Sequence, residues 1–78
     1  MDRLIIELHL AQAERHVIES EHHVARQREL IATMERDGHD TLQARATLAQ
    51  FEEMQALHRA DRDRLRQELR HTSPQSSA

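Results

Sequence analysis

Seven histidines in a chain of 78 residues without a cysteine are the first feature that could do chemistry. Neutral imidazole is a ligand for zinc and its neighbours in the transition series, and it is the side chain that titrates nearest neutral pH. His9, His16 and His23 stand at successive steps of seven, and Leu30 continues their column. A zinc site on a single helix needs ligands three or four residues apart, as in His-Glu-x-x-His. No two histidines here have that spacing. Seven residues of helix rise roughly 10.5 Å, too far for one ion. A metal or haem would therefore need ligands from two helices or from two chains. The plainer reading is a column of boundary side chains beside an apolar seam.

His58 stands apart because it shares a helical column with Phe51 and Leu65, which points it inward. An antiparallel hairpin turning near residue 38 or 39 puts His58 beside Ser20. His16 and His23 then lie one turn to either side, and Asp61 faces His16. Ser20, His58, His16 and Asp61 would form a polar layer near mid-length. One reading of that layer is chemical: a ligand, metal or proton-sensing site formed by His58, His16 and His23. The preferred reading is structural, a layer that sets register as a lone polar residue does in a coiled-coil core, with Ser20 or Asp61 partnering an imidazole nitrogen. Glu19 and His22 have the Glu-x-x-His spacing of di-iron bundles. The residues opposite them, Gln55 to His58, include no carboxylate, and His22 shares a column with Arg15 and Glu29 that reads as a solvent face. No catalytic residue, metal ligand or cofactor is assigned. The chain lacks cysteine and a glycine-rich phosphate loop, and it is expected not to be an enzyme.

Two long helices must position these residues. The chain has one glycine, one proline and one aromatic residue, and 32% of it is charged. Abundant Ala, Leu, Glu, Arg and Gln with few breakers is the composition of long helices. From about residue 3 to 36 the apolar residues recur at helical spacing, with Leu10, Val17, Val24 and Ile31 in one column and Ile6, Ala13 and Met34 beside it. Ser20 and Gln27 interrupt that second column, while Ile18, Ala25 and Ala32 widen the stripe. From about 41 to 71 the stripe is Ala44, Leu48, Phe51, Met54, His58, Leu65 and Leu69. Between them, residues 37–40 form the turn. Gly38 suits a left-handed helix end, and Asp40 or Thr41 can cap the next helix, with Gln43 at capping-box distance from Asp40. A turn this short makes the helices antiparallel. Residues 1–71 form the hairpin and 72–78 a polar tail expected to be disordered.

The stretch Glu35-Arg36-Asp37-Gly38-His39-Asp40-Thr41, followed by Phe51-Glu52, His58 and Asp61-Arg62-Asp63-Arg64-Leu65, resembles a group of short, uncharacterised bacterial proteins with an E-R-x-G-H-D-T turn. The resemblance runs from about Arg15 to Leu69 and implies a helical hairpin, with no activity or ligand attached. In shape the predicted architecture is also similar to the plasmid copy-number regulator Rop, a dimer of helical hairpins, and shape does not carry function.

The expected fold is all-α, an antiparallel two-helix hairpin dimerising into a four-helix bundle, because the apolar stripes are wider than one helix–helix contact covers. Leu10, Val17, Val24, Ile31, Met34, Leu48, Phe51, Met54, Leu65 and Leu69 are the expected core and interface. The expected function is a homodimeric interaction module that offers its outer faces to a protein partner. The alternatives are a metal- or haem-binding bundle and a small Rop-like RNA-binding regulator. A net charge of −3 argues against a general nucleic-acid role. No apolar run reaches the roughly 20 residues that span a bilayer, and the first residues do not read as a signal peptide, so the expected setting is the cytoplasm.

Overall fold

The computed structural model describes residues 2–72. It consists of two helices, α1 (Arg3–Arg36) and α2 (Leu42–His71). They pack antiparallel into a rod of 65 × 14 × 13 Å with a radius of gyration of 18.0 Å. A compact globule of this length would have a radius near 11–12 Å, so nearly all burial lies along one line of contact.

Each helix places a different stripe on that line. On α1 the buried side chains are Ile6, Ala13, Val17, Ser20, Val24 and Ile31, two adjacent columns with the spacing of a coiled-coil seam. Leu10, Gln27 and Met34 complete these columns and are half-buried. On α2 only Ala44 and Leu65 are buried. Leu48, Phe51 and Leu69 are half-buried, as is His58. Of the seven buried hydrophobic residues among those described, two are alanine. Each larger one contributes about 1.5–3 kcal/mol by leaving water, so the core is thin. It is densest at the open end, where Ile6, Ala13 and Leu65 pack with Leu10 and Leu69.

Met54, expected in the core or interface, is 49% exposed in the hairpin. The contact line on α2 follows the Ala44–Phe51–His58–Leu65 column, and Met54 stands beside that line at the edge of the contact.

The turn begins as a Schellman motif. Asp37 is the C-cap of α1. The Gly38 N–H donates to the Glu35 carbonyl at 3.2 Å and the His39 N–H to the Met34 carbonyl at 2.8 Å, the two bonds that satisfy the last carbonyls of a helix. Gly38 has φ 76°. A Cβ there would meet nothing within 4 Å, so the requirement for glycine comes from its backbone conformation alone. Asp40 caps α2 by accepting the Leu42 N–H at 3.0 Å. Thr41 occupies the N-cap position, and its hydroxyl accepts the Arg45 Nε–H at 3.0 Å. Arg45 also pairs with Glu35 across the turn. At the other end Thr72, expected in the tail, closes α2: its N–H and its hydroxyl both donate to the Glu68 and Leu69 carbonyls. The rest of the expected tail, 73–78, lies outside the described residues.

Candidate functional site

The contact line divides the hairpin into two flanks. On one, the helices are joined by charge. Glu14, Glu21, Arg28 and Glu35 occupy one heptad column of α1, and Arg66, Arg59, Glu52 and Arg45 occupy one column of α2. They meet in order, with Arg66–Glu14 at 3.5 Å, Arg59–Glu21 at 3.9 Å and Arg28–Glu52 at 2.8 Å, followed by Arg45–Glu35. Every step of seven forward on α1 is matched by seven back on α2, and the charges reverse together at Arg28–Glu52. These side chains are about half exposed, so each pair contributes about 0.2–1 kcal/mol. In the sequence the only trace of these pairs is the coincident reversal of sign in two columns read in opposite directions.

The other flank carries the histidines. His16 and His58 come together across the helices with ring centroids 5.1 Å apart, tilted by 50°. One heptad towards the turn, His23 lies against Phe51 at 5.5 Å. His16, Ser20, His23, Phe51, Met54 and His58, with Glu19 at the rim, line an open groove of about 210 Å³ at mid-length. The predicted register therefore brings Ser20, His16 and His58 to one place.

The predicted hydrogen bonding of the layer needs correction. The Ser20 hydroxyl is buried and donates to the Val17 carbonyl of its own helix at 2.7 Å, a local bond that serine makes readily within a helix. Asp61 lines an adjoining hollow with His9 and His16, where its carboxylate accepts from Arg64 at 2.5 Å. That bond, with help from Glu68, raises the Arg64 guanidinium above its ordinary range despite some opposing desolvation. Both groups bond within their own helices rather than to His58. His58 itself is half-buried, so its nitrogens do not require protein partners in the way a dry imidazole would. Gln27, read from the sequence as an interruption, does join the helices by donating to the Ala44 carbonyl at 2.9 Å.

Towards the end of α2, Arg70 donates to the Gln67 amide oxygen at 2.6 Å. Arg59, Arg62, Arg64 and Arg66 each contact a carboxylate. His9, His22, His39 and His71 are exposed. Among the described residues, no three histidine, aspartate or glutamate side chains converge where one metal ion could be held. No helix there is long and apolar enough to cross a membrane. Comparison with family models, curated proteins and solved structures finds no significant match.

Proposed function

We propose that this chain is a non-enzymatic helical interaction module. It acts in the cytoplasm as a homodimer of hairpins packed into a four-helix bundle, and it offers its remaining outer faces to a protein partner. The observation that supports this is the balance of apolar side chains. Among the described residues, Leu4, Ile5, Leu8, Ile18, Leu30, Leu42, Met54 and Leu57 are between 43 and 74% exposed. They outnumber the five buried hydrophobic residues larger than alanine, Ile6, Val17, Val24, Ile31 and Leu65. Single exposed leucines are ordinary, but a small rod that exposes eight large apolar groups while fully burying five and half-burying Leu10, Met34, Leu48, Phe51 and Leu69 has a thin core. Met54 lines the groove with Phe51 on the histidine flank, which charge does not close. A second copy covers this flank most simply, because a two-fold axis makes one patch self-complementary.

The pairing of the α2 arginines weakens the RNA-binding alternative, which needs cations available to phosphate. Sedimentation equilibrium at micromolar concentration in the presence of EDTA tests the reading. The expected result is twice the 9.2 kDa chain mass, with Met54→Glu shifting the population towards monomer. A fully helical wild-type chain that sediments as a monomer would refute it.

A further inference from the structure

We propose that the His16–His58 pair is half of a structural site for a divalent transition metal of the zinc class, and that a second copy of this chain supplies the other half. The inference rests on the dimeric reading above and adds to it what the dimer holds at its centre.

The first support is the separation of the rings. Zinc binds imidazole nitrogen at about 2.0–2.1 Å, so two imidazoles meeting at a tetrahedral angle place their ring centres about 5.1–5.3 Å apart, a separation within the range of ordinary aromatic packing. The His16 and His58 centroids are 5.1 Å apart. The two rings come from different helices, so the fold rather than local helix geometry sets this distance. A haem is a poorer fit. Its two axial imidazoles lie on opposite faces of the macrocycle, and rings 5.1 Å apart leave no gap for it.

The second support is that the pair is incomplete. Structural zinc sites close with four protein ligands, and one hairpin brings together fewer than three candidates at any point among the described residues. Asp61, which lines the adjoining hollow with His16, accepts from Arg64 at 2.5 Å, and His23 packs on Phe51.

The third support is position. The groove opens at mid-length of both helices. A two-fold axis through it lets two rods overlap along their whole length while the same two imidazoles from each copy meet at one ion. Half-buried Phe51 and exposed Met54 rim the groove and supply an apolar wall that excludes water from such a site.

The test is a Zn2+ titration of the full chain, freed of metal with EDTA and then dialysed, read by a competing chromophoric chelator and by sedimentation. Co2+ substitution reports the geometry. The expected result is one Zn2+ per two chains, with the visible absorption bands of tetrahedral Co2+. His16→Ala and His58→Ala should each weaken binding by more than the roughly 10–100-fold that loss of an outer-shell partner produces. His22→Ala should leave it unchanged. His16→Gln and His58→Gln, checked for helicity, keep the result readable if an alanine variant unfolds. Absence of binding, binding insensitive to His16 and His58, dependence on His22, or one ion per chain would each overturn the proposal. A dimer that persists in EDTA but takes up no Zn2+ overturns the metal site and leaves the dimeric reading standing. A monomer in EDTA that pairs only with Zn2+ supports the site and overturns a metal-free dimer.

Discussion

Along one flank, Glu14, Glu21, Arg28 and Glu35 meet Arg66, Arg59, Glu52 and Arg45. Along the other, His16 faces His58, His23 faces Phe51, and a groove stays open between them. The flanks border the same seam, the charge pairs from Glu14 to Glu35 and the ring contacts from His16 to His23. The charged flank gains little energy, since exposed pairs are weak, but it discriminates. Sliding one helix by a heptad would set Glu21 against Glu52 and Arg28 against Arg45, each a like-charge contact. The histidine flank has no such code, and its side chains keep surface and ligand capacity unspent. Register is thus favoured by charge on one side, while the other side holds an open groove.

The largest expected effect lies in the seam beneath both flanks. Leu65 is 3% exposed and packs with Ile6 and Ala13, so Leu65→Ala should cost about 2–5 kcal/mol and unfold much of the population. Urea melts followed by circular dichroism measure it. A cost below about 1 kcal/mol, smaller than core truncations of this kind produce, would mean that the open end is not the main source of stability.

Charge reversal on the laced flank should have a smaller effect. Glu52→Arg places an arginine against Arg28 and is expected to cost up to about 1 kcal/mol. Adding Arg28→Glu should recover most of that loss, and 1 M salt should shrink the difference by screening. Failure of the double variant to recover would show that the four pairs do not act as a register device.

The smallest effect is expected on the open flank. With EDTA present, His58→Leu should stay within about 0.5 kcal/mol of wild type or be slightly more stable, as for surface changes away from special contacts. Leucine loses no protein hydrogen bond there and adds apolar contact beside Phe51. A marked loss of stability would show that the imidazole is held by a partner, and the contrast between the flanks would narrow.

The sequence by itself determined the helices, the turn and the direction of packing. Unbroken 3.6-residue periodicity, one glycine and a nearby capping aspartate are local signals, and local physics answers them: Gly38 is left-handed, Asp40 caps α2, and Val17, Val24, Ile31 and Leu65 are buried. The meeting of Ser20, His16 and His58 followed as well, because a short turn and a constant helical rise leave one register near the middle of the rod.

What only tertiary structure decided is which flank each column borders and which polar partner each group takes. Met54 and Phe51 belong to one apolar stripe in the sequence, yet Phe51 lies on the contact line and Met54 beside it, because the line between two particular helices is narrower than the stripe on either. Ser20 and Asp61 stand near His58 in any antiparallel register, but Val17 and Arg64 engage them first through short-range bonds within their own helices. The charge ladder was present in the letters and invisible in either helix alone. Its meaning is a relation between two columns running in opposite directions, and that relation exists only once the helices are side by side.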